Sequence, residues 1–175
     1  MVSRIWTIGH STRSAEQFIA ALSGHGIKLV GDVRLLPGSK RYPHFNAEEL
    51  KQSLGKNGIA YEHFCELGGR RKPRPDSKNT AWRVEAFRGY ADYMETPEFS
   101  AGVKRLLETS EEIGPTAIMC AEAVWWRCHR GLVSDYLKVR GVDVTHIIDA
   151  KKSEPHPFTT AAQIVDGQLS YATLI

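Results

Sequence analysis

The sequence predicts an α/β fold: a single three-layer domain over residues 1–175, with a mainly parallel sheet, helices on both faces and a short C-terminal hairpin. Three observations predict it. Short apolar runs alternate with longer segments of helical spacing, the pattern of strand–helix–strand units and hence of a parallel sheet. Capping signals and glycine or proline breakers separate those segments. The length suits one domain with one core, and 42% apolar with 25% charged residues is ordinary for a globular chain.

The elements follow in order. Residues 5–8 are a short apolar run, read as a first strand, ending in Gly9-His10-Ser11-Thr12. Ser14 and Gln17 have capping-box spacing, Phe18, Ile19 and Leu22 follow at helical intervals, and Gly24 and Gly26 end that helix. A second strand over residues 27–33 ends at Asp32-Val33-Arg34. After a loop with two prolines and a glycine, Asn46 and Glu49 repeat the capping-box spacing for a helix to about Gly55, and residues 59–61 read as a third strand. Residues 66–80 have no periodicity and many breakers, which predicts a long surface loop of the kind that is functional or disordered, and leaves open whether it closes over the site as a lid.

Residues 82–94 have helical spacing, with Phe87, Tyr90, Ala91 and Met94 on one stripe that reads as core. Thr96-Pro97 opens a further helix carrying Phe99, Val103, Leu106 and Leu107, and Gly114-Pro115 stops it. Residues 116–120 suit a buried strand. A helix beginning near Cys128 runs through Leu132, Val133 and Leu137 to Gly141, and residues 142–148 form another strand. Val165-Asp166-Gly167-Gln168 is a hairpin turn signal.

Composition narrows the class. No apolar run is long enough to span a bilayer, and the N-terminus lacks the charged and apolar regions of a signal peptide, so a cytoplasmic protein with no membrane partner is expected. Three cysteines, Cys65, Cys120 and Cys128, suggest reduced thiols and not a disulfide framework. Net charge is only +3, but Lys40-Arg41 and Arg70, Arg71, Lys72 and Arg74 are clustered. Such clusters are either a solvated face or a surface for an anionic partner.

In open α/β sheets ligands bind beyond the carboxyl ends of the strands. Three strand ends here are unusually polar: His10-Ser11-Thr12, Asp32 with Arg34, and Cys120-Ala121-Glu122, followed by Cys128-His129-Arg130. Each has a structural reading as well. Ser11 and Thr12 suit a helix cap, Asp32 a partner for Arg34, His10 a buried histidine, and Glu122 a surface carboxylate. Their convergence from several segments favours a site. The helix opening near Cys128 offers free N–H groups and a positive dipole end, reinforced by Arg127 and Arg130, and would lower the Cys128 pKa.

Two familiar patterns fit poorly. Tyrosine phosphatases and rhodaneses need five residues between cysteine and arginine, whereas six separate Cys120 from Arg127 and the intervening loop has no glycine. A zinc site from Cys120, Cys128 and His129 lacks close cysteine pairs, and neighbouring residues on one helix diverge by about 100°. Neither a metal nor another cofactor is expected.

The motifs resemble those of the DUF488 family, a domain of unknown function. The matching residues are Thr7-Ile8-Gly9-His10-Ser11; Asp32-Val33-Arg34 with Pro37, Ser39 and Pro43-His44-Phe45; Leu67-Gly68-Gly69; the stretch 87–94; and Cys120-Ala121-Glu122 with Cys128-His129-Arg130. The resemblance covers roughly residues 5–150. It implies a compact α/β protein with polar residues near strand ends, and no reaction. Trp125-Trp126 departs from the polar, acidic or proline-containing loop more usual there, and reads as a hydrophobic plug or a stacking surface.

The resulting expectation is a hydrolase-type enzyme acting on a nucleotide or nucleic acid. Asp32 or Glu122 would be the general base, His10 or His129 the acid or hydrogen-bond donor, and Arg34, Arg41 and Arg130 the anion holders, beside Ser11, Arg127 and Cys128. Tyr42, Phe45, Trp125 and Trp126 would stack on a base. The alternatives are a non-enzymatic nucleic-acid-binding module, resting on the basic loops, and a thiol-based or metal-dependent enzyme using Cys120 or Cys128.

Overall fold

The computed structural model describes residues 2–173. Its main sheet contains β1 (Arg4–Gly9), β2 (Leu29–Asp32), β3 (Ala60–His63), β4 (Thr116–Cys120), β5 (Asp143–Ile147) and β6 (Ser153–Pro155), in the order β3-β2-β4-β1-β5-β6. The first five are parallel, and β6 runs antiparallel at the edge beside β5. The helices are α1 (Ala15–Ser23), α2 (Ala47–Gly55), α3 (Glu85–Tyr93), α4 (Pro97–Ile113) and α5 (Arg130–Val139). None is long and apolar enough to cross a membrane among the described residues.

Alternation along the strands divides the core in two. Ala117 and Met119 of β4 pack with Phe18 and Leu22 of α1 and Leu50 and Leu54 of α2. Ile118 and Cys120, their neighbours in sequence, face Tyr90 of α3, Leu106 of α4 and Leu132 of α5. Because successive side chains leave a strand on opposite faces, one apolar pentapeptide seals both layers.

The start signals act largely as the sequence suggests. Ser14 and Gln17 make both hydrogen bonds of a capping box, and Thr96 Oγ1 accepts the backbone N–H of Phe99. The tail turn joins β7 (Gln163–Val165) to β8 (Gln168–Ser170), with Asp166 at φ 52° and Gly167 at φ 77°, the paired left-handed residues of a two-residue hairpin. Asn46 departs from expectation. It precedes α2, but its side-chain oxygen takes the backbone N–H of Ser39, so the loop and not the helix end uses it. Helix α3 begins at Glu85 and not at residue 82, because Trp82 turns aside to meet Phe87 and Tyr171 edge-on. Strand β6 has no apolar pattern to announce it, since its pairing is made by the backbone alone at a sheet edge.

The loop expected over residues 66–80 begins with a 3-10 turn at Cys65–Leu67 and is anchored along its course. Asp92 of α3 accepts from Arg74 N at 2.8 Å, Ser77 Oγ at 2.6 Å and Asn79 Nδ2 at 2.7 Å. Nearer its start, Arg105 of α4 donates to Glu66 at 2.7 Å and to Glu62 at 2.7 Å. Those bonds from Arg105 pull the Glu66 carboxyl from 4.5 down to about 2. A depressed carboxylate stabilises the fold fully above its unfolded pKa, and the contribution disappears as pH falls toward the folded value. Glu66→Gln is therefore expected to lower the thermal midpoint at pH 7 by roughly 2–4 °C, the shift for about 1 kcal/mol in a chain of this size. Calorimetry of both proteins should show that gap closing between about pH 4.5 and about pH 2.

Candidate functional site

Neighbouring strands β1 and β4 send their following segments to opposite faces of the sheet, the first to α1 and the second to α5. This divergence opens a crevice at the carboxyl ends. His10 N donates to Cys120 O and Ser11 N to Ala121 O, each at 2.9 Å, which ties the two strand tips together. A cavity of about 730 Å³ lies above them, walled by the segments after β1, β2, β3 and β4 and by α3. Ser11 and Arg70, both on its wall, sit at φ 48° and 62°, conformations that cost a non-glycine residue free energy.

Cys128 and His129 share this wall. They precede α5, so the angular separation of helical neighbours does not apply to them, and His129 Nδ1 lies 3.5 Å from Cys128 Sγ. The other ring nitrogen, Nε2, is 2.9 Å from the carbonyl oxygen of Val33 and must carry the proton, because a carbonyl only accepts. Nδ1 is then a lone pair facing the thiol. A side chain on Gly69 would come within 3.0 Å of that nitrogen, so glycine there lets the ring lie flat against the loop. Burial holds His129 below the ordinary imidazole range, in its neutral form.

The thiol has further partners. The backbone N–H of Arg130 points at Cys128 Sγ at 3.4 Å, and Arg130 Nε donates to Cys120 Sγ at 3.0 Å. Burial raises the Cys128 pKa, but a hydrogen bond from Cys120 and the charge of Arg130 more than offset it and bring the thiol to about 7. Cys120 moves the opposite way, raised well above its ordinary value by burial and by its bond to Cys128. The pair thus gives up one proton near neutrality and retains the second. Both are free thiols.

The remaining candidates divide between wall and support. His10, Ser11, Arg34, Arg41, Tyr42, Glu122 and Arg127 line the cavity, with Arg41, Glu122 and Arg127 exposed at its rim. His10 stacks on Phe45 at 4.3 Å and donates from Nδ1 to Ser11 O. Its Nε2 remains an acceptor, and burial keeps the ring neutral. Three expectations need correction. Asp32 is fully buried behind the wall, where its carboxylate accepts from Arg34 Nε, Nη2 and N and from Tyr61 Oη, so it orients Arg34 and has no lone pair for water. Phe45 is likewise fully buried and reaches no ligand. Arg130 is 1% exposed and spends its guanidinium on Cys120, Thr7 and the carbonyls of Glu122 and Ala123, so it holds the loop and not the substrate.

Arg34 is different. It is 7% exposed and lines the cavity, and its Nη1 has no hydrogen-bond partner. A buried, unpaired guanidinium N–H fixed by a carboxylate is a strong anion donor. Trp125 packs on His146 at 4.8 Å with nearly parallel rings, as a plug, while Trp126 is 55% exposed. The loop after β3 contributes Gly69 and Arg70 to the wall, and its anchorage on Asp92 makes it a fixed flank. Sequence reasoning placed Tyr90 wholly in the core. It also borders the cavity, with its hydroxyl donating to Leu67 O at 2.7 Å. A tyrosine on an apolar stripe is the available signal for such a double position.

Fold and site together define an α/β protein with a cysteine–histidine pair facing an arginine-lined hollow. A family model, the domain of unknown function DUF488, matches residues 14–137, and the chain belongs to that family. Neither a curated protein nor a solved structure matches it.

Proposed function

We propose that the protein is a cysteine-dependent hydrolase of small phosphate-bearing substrates of nucleotide size. The observation that carries this reading is the pairing of Cys128 with His129, whose tautomer Val33 fixes. Nucleophile, base and orienting group then stand in sequence, the arrangement required for covalent catalysis by a thiol. His129 Nδ1 takes the thiol proton, the thiolate attacks the electrophilic centre, and the imidazolium returns the proton to the leaving group. Water then releases the covalent adduct, with neutral His10 as the second base on the wall. Arg34, Arg41 and Arg127 supply the cationic contacts that an anionic substrate needs.

Cavity volume supports a nucleotide-sized ligand, as does the aromatic lining of Tyr42 and Phe87. The binding-module reading has less support. Arg71 stacks over Tyr93 at 3.7 Å, and Arg74 pairs with Glu95 at 3.2 Å, so two cations of the larger basic loop are engaged within the chain. The test is turnover on a panel of nucleotides and simple phosphate esters. Turnover by the native chain should fall by roughly a thousandfold or more in Cys128→Ser. A Cys128→Ser variant working at the native rate would discard the proposal.

A further inference from the structure

Beneath the cavity, Arg130 begins a buried polar chain that runs across the fold. Its Nη1 donates to Thr7 Oγ1 in β1 at 3.0 Å. Thr7 Oγ1 meets His146 Nδ1 in β5, His146 Nε2 meets His156 Nδ1 at 2.8 Å, and His156 Nε2 meets Asp135 Oδ1 of α5 at 2.8 Å. All five residues are at most 3% exposed. Asp135 accepts three further bonds, from Thr159 N, Thr159 Oγ1 and Tyr171 Oη.

Guanidinium has donors alone and a carboxylate acceptors alone, so with both rings neutral the links run from Arg130 toward Asp135. Thr7 therefore gives its hydroxyl proton to His146 Nδ1, and both imidazoles carry hydrogen on Nε2. Burial, with the neighbouring His156 and Arg130, depresses the His146 pKa and favours its neutral form. Aligned bonds of this kind also polarise one another.

The geometry points to Thr7, His146, His156 and Asp135 as positioning residues for the reactive thiol: they fix the proton order that holds Arg130 on Cys120. This deepens the reading of Cys128 as the nucleophile and rests on it. The mechanism is tautomeric. Without His156 to accept from His146 Nε2, the ring is free to carry its proton on Nδ1. It then donates to Thr7, whose oxygen must accept from His146 and Arg130 together. Arg130 is held less firmly at Thr7, and its placement on Cys120, which favours a Cys128 thiolate, loosens with it. The other titratable groups facing Cys128 are His129 on its own segment, Tyr90 from α3, and His10 and Arg34 across the cavity. None of them is touched by substitutions at Thr7 or His156.

The experiment follows Cys128 ionisation against pH by ultraviolet thiolate absorbance and by alkylation, in a Cys65→Ser background that removes the exposed thiol. Thr7→Val removes the hydroxyl at nearly constant volume, and should raise the Cys128 pKa by about one unit, reducing thiolate about tenfold below neutrality. Thr7→Ser restores the hydroxyl and should return the native profile. His156→Leu, remote from both cysteines, should shift the pKa in the same direction by a smaller amount. A lowered melting point with an unmoved titration in Thr7→Val, or an unmoved titration in His156→Leu, would overturn the relay. If the native chain itself shows no ionisation near neutral pH, it is the reading of Cys128 that falls.

Discussion

Arg130→Met is expected to cost about 3–5 kcal/mol of stability and to abolish neutral-pH reactivity of Cys128. Exchanging a buried ion pair for apolar residues is often harmless, but Arg130 is no member of a simple pair. One guanidinium serves Thr7, Cys120 and the carbonyls of Glu122 and Ala123. Methionine fills similar volume but donates to none of them, and each buried acceptor that loses its donor costs about 1–3 kcal/mol before relaxation. Thermal unfolding should register the loss as a midpoint drop of roughly 10 °C for a chain of this length. A midpoint within a degree or two of the native one would contradict the proposed load on this side chain.

Gly9→Ala should be nearly as damaging, for a steric reason. An added Cβ would stand 1.7 Å from the carbonyl oxygen of Glu122 and 2.6 Å from its carbon. Both are backbone atoms of the segment that follows β4, so no side chain is available to swing aside. The tips of β1 and β4 must separate, which breaks the bonds from His10 and Ser11 to Cys120 and Ala121 and moves the thiols relative to the cavity wall. Overpacking of this severity costs about 3 kcal/mol or more. Gly55 makes a fitting control: it ends α2 with open space around its Cα, so Gly55→Ala should be neutral or slightly stabilising. Denaturant unfolding of the two variants side by side separates a general glycine effect from the specific clash.

The positions of the strands were readable because apolar runs such as residues 116–120 have one physical explanation, burial on both faces. The polar strand ends were readable for the converse reason: His10, Asp32 with Arg34 and Glu122 each follow an apolar run at its carboxyl end, where an open α/β sheet has its crevice. Depth was not readable. Asp32 and Arg34 are two residues apart on an extended segment and therefore point the same way, so spacing alone does not tell which faces the ligand and which stands behind. The structure puts the carboxylate behind, closed off by Tyr61 from a neighbouring strand. Nor does local pattern reveal the chain from Arg130 to Asp135, whose link from Thr7 to His146 joins residues 139 apart. A histidine and an aspartate on otherwise apolar faces of β5 and α5 were its only trace.

The most direct measurement is the rate of iodoacetamide alkylation at Cys128 as a function of pH, with the modified residue assigned by peptide mass in Cys65→Ser. A cysteine whose thiolate is favoured by Cys120 and Arg130 should react with a half-maximal rate near pH 7. Alkylation that rises only above about pH 9, as for an unassisted or merely buried thiol, would contradict the cysteine–histidine site and with it the proposed chemistry.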